Sequence, residues 1–379
     1  MNCFQSVLKD GNWHPAIEPN HNAQLVLIFG NRILACDDDT QKWIRSKFPS
    51  AEIIGCTTSG EILDDQIYDE ALCLTAIEFN SSKVKVVSVN INSDPGIAAK
   101  QLAENFKEEG IKSLFVLSDG QMVNGTDLAN TLQNNLPNNT LITGGLAGDG
   151  TRFNETILWH NSDFGAGKII GCGFYGDNLN VGHGSMGGWD PFGPKRLITK
   201  SYDNILYSLD NKPALELYKT YLGDHAKDLP ASALLFPLLV TNSDNSPDVI
   251  RTILNINEHD NSMIFAGDIP ENSHAQSMKA NFERLIDGAE SAAKNALSTH
   301  IKQNTGQKGL VIMVSCVGRR LVLKNRSEDE VDAVIDTFGS NHHYTGFYSY
   351  GEISPLIQGG QCGLHNQTMT ITSFFENDE

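Results

Sequence analysis

Short apolar runs recur along the chain at intervals that alternate with amphipathic stretches. Leu25-Val26-Leu27-Ile28-Phe29-Gly30 and Leu310-Val311-Ile312-Met313-Val314-Ser315 are continuous enough to be buried strands, as are Ala71 to Phe79 and Gln367 to Phe375. Between residues 25 and about 200, strand-like Lys83 to Ile91 gives way to a helical pattern over Ile97 to Glu109. Ser113 to Leu117 then reads as a strand and Thr126 to Leu136 as a helix. This order predicts an α/β fold with α+β character. Thr156 to Trp159, Lys168 to Phe174 and Leu179 to His183 follow one another without helices, which demands antiparallel pairing and therefore mixed sheets packed with helical layers. The strongest helical stripe runs from Ala275 to about Gln303, with Met278, Phe282, Leu285, Ile286, Ala289, Ala293, Ala296, Leu297 and Ile301 on one face as core.

The octet Gly55-Cys56-Thr57-Thr58-Ser59-Gly60-Glu61-Ile62 returns as Gly346-Phe347-Tyr348-Ser349-Tyr350-Gly351-Glu352-Ile353, each copy between apolar strands. The repetition predicts two duplicated halves that keep one backbone shape and one carboxylate. Leu141 to Asp149 and Phe265 to Pro270 are looser echoes, each closing a strand with a glycine and an acid. The junction between halves is expected in or just after Gly187 to Pro194, giving domains over 25–200 and 201–375.

With 379 residues and 40% hydrophobic content the chain has ample core. Its net charge of −18 opposes a nucleic-acid role. The longest apolar run, Ala231 to Val240, is about half of the roughly 20 residues that span a bilayer, so no membrane is expected. The start of the chain lacks the pattern of a secretory signal, and seven cysteines occur without a Cys-x-x-Cys pair; a cytoplasmic, reduced protein is expected. The spacing excludes zinc ribbons and covalent c-type haem.

Two Gly-x-Gly-x-x-Gly strings, from Gly171 and from Gly182, lead into a strand and into prolines rather than into a helix, against dinucleotide binding. Ser185 lacks the glycine two positions before it that a nucleophile elbow needs, and no positioned nucleophile, base and oxyanion donor occur together; the reading is a protein that is not an enzyme. His183 sits between glycines at a strand end, beside Trp189 and Phe192 as flat apolar walls and Lys195 and Arg196 as cations for a ligand's carboxylates; alternatively it is hydrogen-bonded in a tight turn. His160, His259 and His365 are weaker ligand candidates. Glu61 and Glu352 line equivalent ligand sites or cap neighbouring amides, and Asn366 and Thr368 edge a polar pocket on the last strand. Cys56 or Cys172 as a thiolate ligand is left open.

These motifs resemble those of the FIST family, an intracellular sensory module with N-terminal and C-terminal parts. The carriers are Ile54 to Ile62, Gly144-Gly145-Leu146-Ala147-Gly148-Asp149, Leu209 to Glu216, and Tyr348 to Ile353 with His365-Asn366-Gln367-Thr368. Within the family, Val181 to Pro194 is similar to the NosP branch. That resemblance implies a non-covalent haem b with His183 as the iron ligand, nitric oxide as the gaseous signal, and a sensor histidine kinase as the partner that receives it. Release of the imidazole on nitric oxide binding would then shift the packing of the halves. The alternative is a module for a small metabolite such as an amino acid, held by Gly60, Glu61, Gly148, Asp149, Gly351, Glu352 and Asn366, without haem. Oligomeric state is left open.

Overall fold

The computed structural model describes residues 1–92, 94–242, 247–299 and 308–377. It is a mixed α/β protein, as the alternation predicts, and the repetition seen in the octets extends to a third copy. Each repeat contributes four strands in the same sheet order of third, second, fourth, first. In the first these are Asn2–Lys9, Leu25–Gly30, Glu52–Thr57 and Leu72–Glu78. In the second they are Lys83–Asn90, Ile111–Ser118, Leu141–Leu146 and Lys168–Tyr175. In the last they are Leu179–Met186, Leu310–Cys316, His343–Ser349 and Met369–Glu376. The second and third strands are always parallel, and the fourth is antiparallel to the second. Helices Asp38–Lys47, Gly125–Asn135 and Ser327–Phe338 make the crossovers that parallel pairing requires. The looser echo at Leu141 to Asp149 is thus the middle copy; Phe265 to Pro270 lies outside the repeats.

A steric signature marks the copies. A Cβ on Gly55, Gly144 or Gly346 would lie 2.0, 1.9 and 1.9 Å from the carbonyl oxygen of Ile28, Val116 and Met313, its partner on the parallel neighbour. Only glycine fits where backbones approach so closely.

After its third strand each repeat sends out a hairpin that leaves its own sheet. Glu61–Leu63 of the first pairs with the third repeat (Phe347↔Glu61), and Leu158–His160 of the second pairs with the first (Leu158↔Cys56). Gly351–Pro355 of the third pairs with the second (Gly145↔Glu352). Each repeat gives one hairpin and receives another, so the three sheets close in a cycle and their third-strand turns meet at its centre.

Residues 187–281 are inserted after the first strand of the third repeat. They form a smaller antiparallel sheet with helix Ala214–Leu222 and a core that includes Ile198, Leu206, Leu215, Val240 and Phe265. The expected helix start at Ala275 is corrected here. His274–Ala280 is a strand paired with Leu238–Thr241, and the helix is Phe282–Ser298, opened by the Asn281 side chain accepting from the Arg284 amide. Met278 therefore packs beside Trp189 in the strand, Phe282 is largely exposed, and Leu285, Ala289, Ala293 and Ala296 hold the buried stripe. Ile301 and Gln303 lie outside the described residues.

The glycine strings have packing reasons. A Cβ on Gly184 would lie 2.0 Å from the Ala292 carbonyl oxygen and one on Gly188 2.3 Å from that of Arg284, so these glycines seat helix Phe282–Ser298 on the strand. Gly171 and Gly173 lie against the Phe106 ring. Among the described residues no helix is long and apolar enough to cross a membrane, and no group of three or more His, Cys, Asp and Glu is placed to hold a metal.

Candidate functional site

The three turns are hydrogen-bonded to one another at the centre of the cycle. The Gly148 amide donates to Thr57 O (2.9 Å), Ser59 N to Tyr348 O (2.8 Å), Tyr348 N to Gly60 O (2.8 Å) and Tyr350 N to Leu146 O (3.2 Å). Gly150 N donates to Ser59 Oγ at 3.1 Å, and the Tyr350 hydroxyl to Gly150 O at 3.1 Å. Counting from the paired residues Thr57, Leu146 and Tyr348, the position of the octet glutamate is Glu61 in the first repeat, Gly150 in the second and Glu352 in the third.

The two glutamates share a fold position and differ in what surrounds them. Ser349 Oγ donates to Glu352 Oε1 (2.5 Å), while the Thr368 amide and hydroxyl donate to Oε2 at 3.1 and 3.0 Å. Glu352 is sealed, a capping carboxyl for the turn. Thr58 Oγ1 likewise donates to Glu61 Oε1 at 2.5 Å, but Ala71 stands where the third repeat has Thr368 and brings no hydroxyl. Glu61 Oε2 is left without a hydrogen-bond partner, although the Ala71 amide is near enough to lower the pKa. Burial dominates and pushes the Glu61 carboxyl up to about 8, against the Thr58 hydrogen bond and the Arg320 charge. Glu352 is raised to about 8 by the same desolvation.

Glu61 opens on a cavity of about 650 Å³ walled by Asn31, Asp69, Arg152, Arg320, Lys324 and Asn325, with Gly60 and Gly150 at its floor. Arg320 Nη1 donates to Ser59 O (2.6 Å), Nη2 to Asp69 Oδ2 (2.7 Å), and its guanidinium lies 5.1 Å from the Tyr348 ring centroid. Gly60 makes this possible: φ is +127°, and a Cβ there would fall 1.8 Å from Arg320 Nη1. Arg152 donates through Nε and Nη2 to Asp149 Oδ1 at 2.9 and 2.6 Å, and its charge thereby stands at the cavity wall.

Of the seven residues expected to hold a metabolite, Gly60 and Glu61 line this cavity. Asp149 supports it by fixing Arg152, and a Cβ on Gly148 would meet Ser59 Oγ at 2.4 Å. Gly351, Glu352 and Asn366 lie behind the turns; Asn366 accepts from Thr252 N and donates to Tyr350 O. The cations were not read from the sequence. Arg320 lies in the helix Val317–Leu323 that follows the second strand of the third repeat, and Asn31 directly follows that of the first, so aligned repeats bring both from the segment after the same strand.

The residues expected around haem are not brought to one cavity. His183 is buried, its pKa lowered by desolvation, and it borders a cavity of about 330 Å³ whose walls include the amides of Gln133, Asn138, Asn139 and Gln358. Trp189 is packed with Met278, Leu285, Val322 and Leu323. The Phe192 amide is tied to Ser277 O, Lys195 is exposed, and Arg196 is bonded to Asp210 and Tyr221. The cavity at His183 is lined by Leu141, Val181 and Pro355 as well as by these amides, and none of Trp189, Phe192, Lys195 and Arg196 reaches it. Cys56 and Cys172 are buried with thiols raised by desolvation, the opposite of what a thiolate ligand needs. His365 Nε2 contacts Ser354 O at 2.8 Å.

Comparison with known proteins places the chain. It is 24% identical over 381 residues, 90% of its length and 70% of the relative's, to the uncharacterized protein MJ1623 of Methanocaldococcus jannaschii. Among solved structures, a cyanuric acid hydrolase from A. caulinodans aligns at 10% identity and a TM-score of 0.18, covering 78% of this chain and all of that one, a likeness that carries no argument. The FIST N domain matches residues 24–212 and the FIST C domain residues 214–355. The chain belongs to the FIST family, whose domains are sensory signal-transduction modules rather than catalytic ones.

Proposed function

We propose that the protein senses a small zwitterionic metabolite, of the amino-acid class, in the cavity at Glu61, and that occupancy is read by a separate signalling protein in the cytoplasm. The observation that carries this reading is the difference between the two octet glutamates: Glu352 Oε2 accepts from both the amide and the hydroxyl of Thr368, whereas Glu61, beside an open polar cavity, has no such hydroxyl and only the Ala71 amide near its buried Oε2. A buried carboxyl oxygen without a hydroxyl or amide fully completing it is costly until a partner arrives. A ligand ammonium does so and converts the neutral carboxyl to a carboxylate. Arg152 and Lys324 then meet the ligand's own carboxylate across a cavity roomy enough for an amino acid.

The coupling follows from the cycle of turns. Ser59, Gly60 and Gly150 touch the cavity and are hydrogen-bonded into the third repeat, so charging Glu61 acts on groups that bind the repeats together. The NosP-type reading, nitric oxide at haem relayed to a histidine kinase, would have to seat the haem at His183 without Trp189, Phe192, Lys195 or Arg196, which do not line that cavity. Thermal unfolding with each of the common amino acids tests the proposal. At least one is expected to raise the midpoint of the wild type and to leave Glu61→Ala unmoved; equal shifts in both proteins would refute it.

A further inference from the structure

A second cleft, of about 510 Å³, lies where the inserted sheet meets the repeats. Its walls come from three places: Val249, Arg251 and Asp268 of the insertion, Thr126 and Asn130 of helix Gly125–Asn135, and Leu356 to His365 of the third repeat's hairpin. Leu356, Ile357, Leu364, Val249 and Pro270 make it more apolar than the Glu61 cavity.

Arg251 is buried at this junction and, among the described residues, makes no ion pair. Its Nε donates to Asp268 O (3.0 Å), Nη1 to Leu364 O (2.9 Å) and Nη2 to Thr126 Oγ1 (3.4 Å). Three of a guanidinium's five N–H donors are thereby used, and two have no partner among the described residues. Asp268 shares the wall and its charge acts on Arg251, but its Oδ1 accepts from Asn124 Nδ2 at 2.6 Å and it forms no ion pair with the guanidinium. Desolvation lowers the Arg251 pKa to about 10, which leaves it charged at neutral pH. A buried cation whose hydrogen bonds go to neutral oxygens is a site that an anion completes.

His365 stands in the same wall. Ser354 O can only accept, so the proton is on Nε2, and Nδ1 carries a lone pair with no partner among the described residues. The ring stays neutral, its pKa held near 4 by burial and then by the Arg251 charge. A cation with spare donors, a neutral acceptor and apolar walls therefore face one cleft.

We propose that this cleft binds a small organic acid with a hydroxyl beside its carboxylate and a branched apolar tail. The carboxylate takes the two remaining N–H groups of Arg251, the hydroxyl donates to Nδ1 of His365, and Leu356, Ile357 and Val249 cover the tail. Because the walls belong to the insertion and to two repeats, the bound acid fastens the insertion to the body. It is a site separate from Glu61.

The test uses 2-hydroxy-4-methylpentanoate and its neutral amide as probes in saturation-transfer NMR and calorimetry on the full chain. The acid is expected to saturate one site at millimolar concentration or below, and the amide to bind about ten-fold more weakly or worse for want of the charged hydrogen bond. Ile357→Asp, an exposed position 71% accessible that folding does not depend on, should weaken the acid about ten-fold through like charge and a lost apolar wall, with the melting midpoint unchanged. Glu61→Gln should bind the acid as the wild type does. Absence of saturation, equal binding of acid and amide, indifference to Ile357→Asp, or loss of binding in Glu61→Gln each overturn the assignment.

Discussion

Replacing Glu61 by Gln keeps the shape of the side chain and the oxygen that accepts from Thr58 Oγ1, and removes only the titration. In the fold the carboxyl is raised from 4.5 to about 8, chiefly by burial, whereas in the unfolded chain it ionises near the ordinary value. Between those two values the folded state holds a proton that the unfolded state has lost. Its contribution to stability is therefore fully present below pH 4.5 and is lost as pH rises toward 8. The loss runs at about 1.4 kcal/mol per pH unit and reaches roughly 5 kcal/mol in all. Glu352, raised by the same cause to about 8, adds a parallel loss that the substitution leaves in place. Urea unfolding of both proteins at pH 5, 6, 7 and 8 and constant ionic strength isolates the Glu61 share. The stability of Glu61→Gln relative to wild type should climb with each unit at close to that slope. A difference independent of pH would show that Glu61 is already ionised in the fold and would refute the account of its environment.

Three further outcomes follow from the same structure. Gly346→Ala puts a Cβ 1.9 Å from Met313 O and should cost several kcal/mol or prevent folding, whereas Gly339→Ala, whose Cβ meets nothing within 4 Å, should cost only about 1–2 kcal/mol for its φ of +95°; thermal midpoints separate them. Glu330→Gln breaks the fully buried pair with Arg319 (2.8 Å) and weakens the acceptor of the Tyr348 hydroxyl, so a loss of about 3–5 kcal/mol is expected in urea unfolding; no loss would mean that the guanidinium finds another anion. Arg152→Ala removes a wall cation and both of its hydrogen bonds to the buried Asp149 carboxylate; the midpoint should fall, while any amino acid that shifts the wild type loses at least ten-fold in affinity by calorimetry below that midpoint.

Strands and most helices were legible because their apolar residues alternate or run continuously where one or both sheet faces are buried. Asn281 shows where that fails. Met278 and Phe282 are four residues apart, a helical spacing, but the cap at Asn281 separates a strand from a helix and the two side chains never share a face. The octets revealed two repeats because each keeps a glutamate. The middle one has Gly150 at that position, so its kinship rests on Gly144 and on strand order, which only pairing displays. Hairpin exchange was equally hidden, since nothing local in Glu61-Ile62-Leu63 names a partner in the third repeat. The carboxylate was found in sequence and the cations of its cavity were not: Arg152 and Arg320 join Glu61 in one cavity wall from the second and third repeats, a convergence set by the cycle. His183 illustrates the reverse, a conspicuous histidine whose flanking Gly184 serves helix packing.

The most direct test of the central claim is the proton count on binding. Calorimetric titration of the wild type at pH 7 with an amino acid that stabilises it, in two buffers of different ionisation enthalpy, measures protons released per ligand. A carboxyl with a pKa of about 8 that becomes a carboxylate against an ammonium predicts release of close to one proton, abolished in Glu61→Gln. Binding without proton release, or the same release in the variant, would contradict it.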